Sequence, residues 1–329
     1  MYWLMLGIAL FGIFLIVLYL MSPLLGPKAL SLHRAHVLVT GGSSGIGKAV
    51  AIEAAKQGAN ISIIARNKTK LMQAKQEIES FLKNSEKQKV EMYSVDLSGD
   101  YSEVEKTIKQ AELNLGPVKL LINCAGNAIA NYFENLPVSE FRRMMEMNYF
   151  STVNVTKAVI TSMIEQQFGR IVFVSSVAGQ VGVFGFTAYS AAKFALRGFA
   201  EALQMEMKVN NIYITLAFPP DTDTPGLAAE QIGKPRETKL ISESAGLFQP
   251  DEVARVIIED TKKGKFLCSM GLDGYIVAML TAGMSPVISI MDALQQVITM
   301  GLFRAISLVY LRFYDGVVTQ CAEEKKKDN

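Results

Sequence analysis

Short β-branched runs alternate with polar segments of helical periodicity from residue 36 to residue 270, and this alternation constrains the fold more than any other feature. The strand-like runs cover residues 36–40, 61–66, 90–97, 120–124, 170–175, 213–218 and 266–270. The helix-like segments include residues 68–82, 103–113 and 250–263. Such alternation predicts an α/β protein with a doubly wound parallel sheet covered by helices on both faces. We assign residues 33–270 to this domain.

A glycine-rich turn follows the first strand-like run and opens a helix-like segment, with the sequence Thr40-Gly41-Gly42-Ser43-Ser44-Gly45-Ile46-Gly47. Glycines here allow a tight turn and let the backbone approach a pyrophosphate, while the free N–H groups of the helix start favour an anion. We therefore predict a Rossmann-type dinucleotide site. Its contacts in the turn are expected from Gly41, Ser43, Ser44, Gly45, Ile46 and Gly47.

The residues after the second strand-like run indicate which dinucleotide is bound. A site that prefers NAD usually places an acid here, for the 2′-hydroxyl of the ribose. This chain has Arg66 instead, with Lys70 one helical turn further on. A guanidinium suits a 2′-phosphate, so we predict NADPH as the cofactor. The alternative is that Arg66 is only a solvated residue at a helix start.

Three more strand ends on the same edge of the sheet supply candidate cofactor contacts, because strand ends on that edge line the ligand crevice of such sheets. Asp96 and Leu97 end the third run, the segment Asn123–Gly126 ends the fourth, and Thr222 lies in the loop after the sixth. Gly126 is the most informative of them, since a strand that passes close to a cofactor has no room for a side chain. The acidic and amide residues have an alternative role in ordinary turns.

Tyr189 and Lys193 stand four residues apart, so they share one face of a helix. A tyrosine loses its proton near pH 10, and an adjacent ammonium group favours the phenolate and lowers that pKa. We therefore predict that Tyr189 is a general acid that protonates a carbonyl oxygen while hydride reaches the carbon. Lys193 also has the reach to hold the ribose of the cofactor.

Two serines and an asparagine extend this pair. Ser175 and Ser176 end the fifth strand-like run, thirteen residues or more before the tyrosine, and either hydroxyl could stabilise the substrate oxygen. Asn148 could bind a water that links Lys193 to solvent. Each residue alone has an ordinary structural explanation, but the order and spacing of the set favour catalysis.

The glycine turn, Asn123–Gly126 and the Asn148, Ser176, Tyr189 and Lys193 set resemble the short-chain dehydrogenase/reductase family in order and spacing. The resemblance implies that these last four residues form the catalytic tetrad, with Ser175 as a neighbouring candidate. Residues 169–176, 184–189 and 218–226 resemble the branch of that family that reduces long-chain 3-keto sphingoid bases with NADPH. That branch works in sphingolipid synthesis, at the cytosolic face of the endoplasmic reticulum.

The first 21 residues contain no charged side chain, and a helix of that length spans about 30 Å, enough to cross a bilayer. We predict a transmembrane anchor over residues 1–22. A cleaved signal peptide is the alternative, but no basic segment and no cleavage site of small residues is visible. Lys28 and Arg34 follow the apolar stretch, which favours a cytosolic position for the rest of the chain.

The C-terminal part is also strongly apolar, since only Asp292 and Arg304 are charged between residues 274 and 311. Residues 287–298 show helical spacing of apolar side chains with a polar opposite stripe. We assign residues 271–318 to a hydrophobic, membrane-associated helical extension and residues 319–329 to a charged tail. The amphipathic helix could instead pack in the core or on a second subunit. Lys326 and Lys327 resemble an endoplasmic-reticulum retrieval signal, although a solvated tail explains them equally well.

Composition excludes several classes of function. The 33 basic and 31 acidic residues are scattered without a basic stripe, so we expect no nucleic-acid partner. Three widely spaced cysteines and two histidines leave no pattern for a metal site or a disulfide framework. The expected partners are the keto sphingoid base, membrane lipid and a second subunit, for which the helix over residues 194–207 has apolar faces.

The residues by themselves predict a carbonyl reductase for a lipophilic substrate, and the resemblance implies an NADPH-dependent reductase of a 3-keto sphingoid base in the endoplasmic reticulum membrane. A membrane-bound retinol or hydroxysteroid dehydrogenase shares the anchor, the fold and the tetrad, so it is the alternative enzyme. A non-catalytic NADPH-binding scaffold is the alternative of a different class. An intact Tyr189–Lys193 pair disfavours it, since a binding module needs neither residue.

Overall fold

The computed structural model describes residues 2–21, 26–244 and 246–328. Seven parallel strands form one sheet in the order β3-β2-β1-β4-β5-β6-β7. The strands are β1 His36–Thr40, β2 Asn60–Ala65, β3 Val90–Ser94, β4 Val118–Asn123, β5 Gly169–Val174, β6 Ile212–Phe218 and β7 Leu267–Ser269. This confirms the predicted doubly wound parallel sheet, with each strand within a few residues of its predicted bounds.

Helices cover both faces of this sheet because successive strand residues point to opposite sides. The helices of the domain are α2 Gly45–Lys56, α3 Lys68–Glu79, α4 Tyr101–Leu115, α5 Val138–Met145, α6 Ser151–Gln166, α7 Thr187–Met207, α8 Pro225–Glu230, α9 Arg236–Glu243 and α10 Pro250–Lys263. Val37 and Val39 of β1 pack with α2, α3 and α10, whereas Leu38 packs with α4, α6 and α7. The two buried layers fix the register of the sheet.

The strand order reverses between β1 and β4, and this reversal positions the site. From β1 the chain builds outward to β3, then returns to pair β4 with the other side of β1. In open α/β sheets the loops leave such a point in opposite directions, so a crevice opens at the carboxyl ends of the strands. The glycine turn after β1 and the turn after β4 therefore face each other across one cleft.

The segment before β1 docks on the opposite, amino edge of the sheet. The buried Arg170 guanidinium at the start of β5 donates to the Lys28 carbonyl at 2.7 Å. The backbone N–H of Leu30 donates to the Lys262 carbonyl at the end of α10, at 2.9 Å. Leu30 and Leu32 are both buried in the core layer below α2 and α10. This linker is therefore part of the folded domain.

Apolar helices flank the domain in sequence. They are α1 Tyr2–Met21, α11 Gly271–Leu280 and α12 Ile290–Asp328. Among the described residues, the segment Ile290–Lys327 is the one helix long and apolar enough to cross a membrane. The helix α12 begins after Val287, which the sequence pattern had placed on it, and it continues without a break through the predicted charged tail. With 39 residues it is about 58 Å long.

Candidate active site

A cleft of about 520 Å³ opens at the carboxyl ends of the strands. Its floor is the glycine turn, which is tightly packed. A Cβ atom on Gly47 would lie 2.5 Å from the Gly41 carbonyl oxygen, so the first turn of α2 approaches the turn before it as closely as glycine allows. The Thr40 hydroxyl accepts from the backbone N–H groups of Cys124 and Ala125, each at 3.0 Å. The two turns that border the cleft are thereby held together.

Positive charge borders the cleft at the carboxyl end of β2. Arg66 and Lys70 line the cleft, and both are exposed. Asn67 caps α3 by accepting from the Lys70 backbone N–H at 2.9 Å. Asp96, beyond β3, accepts from the hydroxyl of Ser98 at 2.8 Å, and this bond, with a smaller effect from Arg66, lowers the pKa of its carboxyl. No acidic residue takes the position of Arg66.

Asn148 lies in a single π-helical turn, Glu146–Phe150, between α5 and α6. Such turns are frequent at functional sites because they displace one side chain from the helical pattern. Its amide nitrogen donates to the carbonyls of Asn127 and Met144, both at 3.0 Å. Its Oδ1 is buried and has no hydrogen-bond partner within the described part of the chain. A Cβ atom on Gly126 would lie 2.4 Å from that oxygen and 3.6 Å from Lys193 Nζ, so the two polar groups converge above Gly126.

Tyr189 and Lys193 share one face of α7, as the spacing predicts. Lys193 Nζ lies 5.6 Å from the centre of the Tyr189 ring and donates to the Val174 carbonyl at 2.9 Å. Burial lowers the pKa of Lys193 to about 8. Burial also raises the pKa of Tyr189, while a hydrogen bond with Ser176 opposes this rise. The net shift of the tyrosine pKa is therefore opposite to the lowering expected from the ammonium group, because desolvation is its largest cause.

The two adjacent serines differ in what their hydroxyls contact. Ser175 is buried and donates to the Lys193 backbone carbonyl at 3.1 Å. It also lies beneath Gly179, where a Cβ atom would be 2.3 Å from its Oγ. Ser176 caps the short turn Val177–Gly179 by accepting from the Ala178 backbone N–H at 3.2 Å, and its side chain opposes the rise in the pKa of Tyr189. Ser176 is thus the serine that lies beside Tyr189 in the cleft. Ser175 links the end of β5 to α7 through its hydrogen bond with the Lys193 carbonyl.

The structure brings nearly all the predicted site residues to this cleft. Those that line it are Gly41, Ser43, Ser44, Gly45, Ile46, Gly47, Arg66, Lys70, Asp96, Leu97, Gly126, Asn148, Ser175, Ser176, Tyr189, Lys193 and Thr222. Asn123 does not line it. Its side chain points to α6, where the amide donates to the Thr156 hydroxyl at 3.1 Å. Strand alternation turns this side chain toward the helical layer rather than toward the cleft.

Several residues of the cleft were not anticipated from the sequence. Asp221 and Glu230 border it from the loop after β6 and from α8, and Tyr314 reaches it from α12. Thr40 joins the two turns of its floor. Pro225 after the capping Thr224 signals a helix start at α8. No local pattern indicates that Glu230 faces a cleft or that a residue more than 90 positions after β6 reaches it.

These residues fit a nicotinamide dinucleotide. The tight glycine turn leads into the N-terminus of α2, which favours an anion such as a pyrophosphate. The unpartnered Asn148 oxygen and the Lys193 ammonium group converge at the other end of the cleft. The fold and the site together define an oxidoreductase that uses a nicotinamide cofactor.

Comparison with known proteins agrees with this class. The family model for short chain dehydrogenases matches residues 35–234. The chain belongs to the short-chain dehydrogenase family. The solved structure of a levodione reductase superposes with a TM-score of 0.64 over 70% of this chain and 91% of that one, at 23% identity, which shows a common fold.

The relatives of known activity are more similar. The chain is 56% identical over 314 residues to a 3-dehydrosphinganine reductase of Danio rerio, which covers 95% of this chain and 94% of that protein. It is also 56% identical, with the same coverage, to a 3-ketodihydrosphingosine reductase of Bos taurus. The match extends beyond the short-chain dehydrogenase domain into both flanking regions.

Proposed function

We propose that this protein reduces 3-ketodihydrosphingosine to dihydrosphingosine with NADPH. The observation that carries the proposal is the convergence of Ser176, Tyr189, Lys193 and Asn148 in one cleft of a chain that is 56% identical to such reductases over nearly its full length. When bound, the nicotinamide cofactor supplies the hydride that reaches C3 of the ketone.

Tyr189 donates the proton to the C3 oxygen. Burial raises its pKa, so the phenol holds its proton at neutral pH until negative charge develops on the ketone oxygen. Ser176 lines the same cleft, and its hydroxyl orients the same oxygen and stabilises the charge that develops on it. The two hydroxyls thus bind one oxygen atom from neighbouring positions.

Lys193 and Asn148 restore the proton of Tyr189 after each turnover. Lys193 has a pKa of about 8, close enough to neutrality for it to release and regain a proton readily. The unpartnered Oδ1 of Asn148 is available to accept a hydrogen bond from a water at the same place, above Gly126. The pair therefore forms the inner end of a path for protons, and Lys193 also holds the ribose.

Arg66 supports the choice of NADPH. It follows β2, lines the cleft and is exposed, so its guanidinium is available to a 2′-phosphate. Lys70 lines the cleft one turn further along α3. An acid in place of Arg66 would favour NAD by binding the 2′-hydroxyl.

The flanking helices and the lipid substrate support a membrane position. The 20 residues of α1 carry no charge, and α12 exposes apolar side chains such as Val297, Leu302 and Val309. We place the enzyme at the endoplasmic reticulum membrane with its catalytic domain facing the cytosol. Helix α7 leaves Phe194 and Met205 exposed, which suits contact with a second subunit.

The test is turnover of purified protein in detergent with NADPH and 3-ketodihydrosphingosine, with the product followed by mass. Tyr189→Phe should lower kcat by about 10²- to 10⁴-fold, the usual contribution of a general acid. Tyr93→Phe is the matched control, because the Tyr93 hydroxyl binds Asn114 away from the cleft. Near-normal turnover by Tyr189→Phe would contradict the mechanism.

The same assay separates the alternative functions. Preferred turnover of retinal or a ketosteroid would support the alternative membrane dehydrogenases. No reduction of any of the three carbonyl compounds, with NADPH still bound, would support a non-catalytic scaffold.

A further inference from the structure

A cluster of three charged side chains lies in the segment that covers the cleft, and the reaction described above does not use it. Asp221 follows β6, Glu230 ends α8, and Lys234 lies just beyond α8. The Lys234 side chain is fully buried. Its Nζ donates to Glu230 Oε1 at 2.8 Å and lies 3.7 Å from Asp221 Oδ2.

The cluster is adjacent to the catalytic tyrosine. Lys234 Nζ lies 5.4 Å from the centre of the Phe186 ring, and that ring lies 5.4 Å from the ring of Tyr189. Asp221 and Glu230 line the same cleft as Tyr189, whereas Lys234 does not. The carboxylates therefore face the cleft and the ammonium group stays behind them.

The charges of this cluster do not balance, because two carboxylates and one ammonium group leave one negative charge. Among the described residues, the Glu230 carboxylate makes no hydrogen bond other than that with Lys234. A half-buried negative charge is costly unless a cation compensates it. The phosphates of the cofactor cannot do so. The site therefore fits a cationic group on the substrate, close to the carbon that is reduced.

We propose that Glu230, assisted by Asp221, binds an ammonium group on the carbon next to the ketone, and so selects amino ketones over neutral ketones. This inference rests on the proposed function, since 3-ketodihydrosphingosine carries its amino group on C2, beside the C3 ketone. Lys234 is a positioning residue that holds the Glu230 carboxylate toward the cleft. Retinal and steroid ketones have no such nitrogen, so the same contact disfavours them.

The test compares 3-ketodihydrosphingosine with 1-hydroxyoctadecan-3-one, which has the same chain and ketone but no amine. The native enzyme should prefer the amino ketone in kcat/KM by about 100-fold or more, since a site built around a polar group rejects an analogue that lacks its partner. Glu230→Gln should lower that preference by about 10- to 100-fold through KM for the amino ketone, the range for a charged hydrogen bond.

Asp223→Asn is the matched control, because Asp223 lies in the same loop but does not line the cleft. It should keep the native preference. Glu230→Gln also leaves a buried lysine without its partner, so the double variant Glu230→Gln with Lys234→Met removes both charges. Its preference should fall as in the single variant. Thermal unfolding and NADPH binding report whether each variant is folded.

The outcomes separate the inference from the proposed function. If the native enzyme does not reduce the amino ketone, the proposed function fails. If it reduces both ketones equally well, the inference fails and the proposed function stands. A native preference that survives in a folded Glu230→Gln or double variant also overturns the inference.

Discussion

Burial acts in opposite directions on the two titrating residues of the site. It keeps the proton on Tyr189, whose neutral form is the phenol, and it weakens the hold of Lys193 on its proton, because the neutral form of that side chain is the amine. The phenol therefore holds its proton until negative charge develops on the ketone oxygen, while Lys193, with a pKa of about 8, exchanges its proton near neutral pH. Lys193 lies only 5% exposed, so its proton must pass through the cleft.

Arg66 is the residue whose replacement should change the choice of cofactor. Arg66→Ala should raise KM for NADPH by about 10- to 100-fold and leave KM for NADH nearly unchanged, since only the former carries a 2′-phosphate. The measurement is steady-state kinetics with both cofactors. Lys68→Ala, two residues further along the chain, is the control, because Lys68 does not line the cleft. An equal rise in KM for NADPH and NADH would show that Arg66 does not bind the 2′-phosphate.

His36 should make the stability of the domain depend on pH. It is buried, donates through Nδ1 to the Gly116 carbonyl at 2.6 Å, and accepts from the Ser62 hydroxyl at 2.8 Å. Burial lowers its pKa to about 4, so the unfolded chain binds the proton more tightly than the folded one. The stabilisation by neutral His36 is complete above pH of about 6.5 and is lost as pH falls toward 4, a total of about 3 kcal/mol.

Urea unfolding between pH 4 and pH 7.5 measures this effect. His33→Gln should keep the pH dependence, because His33 is exposed. His36→Gln should flatten it while lowering stability at neutral pH. A native unfolding midpoint that does not change from pH 7 to pH 4.5 would contradict the prediction.

At the scale of elements, α9 connects the segment that covers the cleft with the C-terminal helix α12. Glu237 of α9 accepts from the Tyr132 hydroxyl at 2.8 Å and from Lys325 of α12 at 3.0 Å. Arg236 pairs with Glu324 on the same two helices. Ile241 of α9 and Tyr314 of α12 both line the cleft. We therefore expect these two helices to move together when a substrate enters.

Reversing the charge of Glu237 should weaken the contact between α9 and α12. Glu237→Lys places two cations together, and we expect KM for the lipid substrate to rise several-fold while KM for NADPH stays the same, because a half-exposed pair contributes about 1 kcal/mol. Adding Lys325→Glu should restore most of the loss. Asp251→Lys is the control, since its partner Arg255 lies on an exposed surface of α10. Steady-state kinetics with each variant measures the effect.

The elements also show how far sequence patterns can predict this molecule. The seven strands were predictable because β-branched runs that are buried on both faces have few alternative structures. The common placement of Tyr189 and Lys193 at the cleft was predictable because they lie four residues apart on one helix. The contact of α12 with α9 and the inward position of Glu230 depend on residues far apart in the chain, which local periodicity does not report. The orientation of Asn123 depends on which face of β4 its position gives it, and the sequence pattern does not fix the residue at which that strand ends.

At the scale of the whole molecule, the stability of the domain depends on the linker that precedes β1. The linker from Lys28 to Leu32 fills a groove at the amino edge of the sheet, and its carbonyl satisfies Arg170. That guanidinium is fully buried between the rings of Phe168 and Tyr213, 5.1 Å and 4.8 Å from their centres. Without the linker, one donor of a buried cation would lose its partner.

Two truncations test this boundary. A chain that starts at residue 26 should keep the stability of the domain. A chain that starts at Arg34 should lose at least about 3 kcal/mol, because it lacks the buried side chains of Leu30 and Leu32. Urea unfolding followed by circular dichroism measures both, since Trp3, the single tryptophan, is absent from each. Equal stability of the two chains would show that the linker is dispensable.

The docked linker has a consequence for how a domain of this kind meets its lipid. Residues 22–27 separate the end of α1 from the docked linker, and six residues reach at most about 22 Å. With α1 in a bilayer, as proposed, the domain would stay within that distance of the membrane surface. Its rotational freedom would then be restricted. Lateral diffusion of the lipid, in two dimensions, would set the rate at which enzyme and substrate meet.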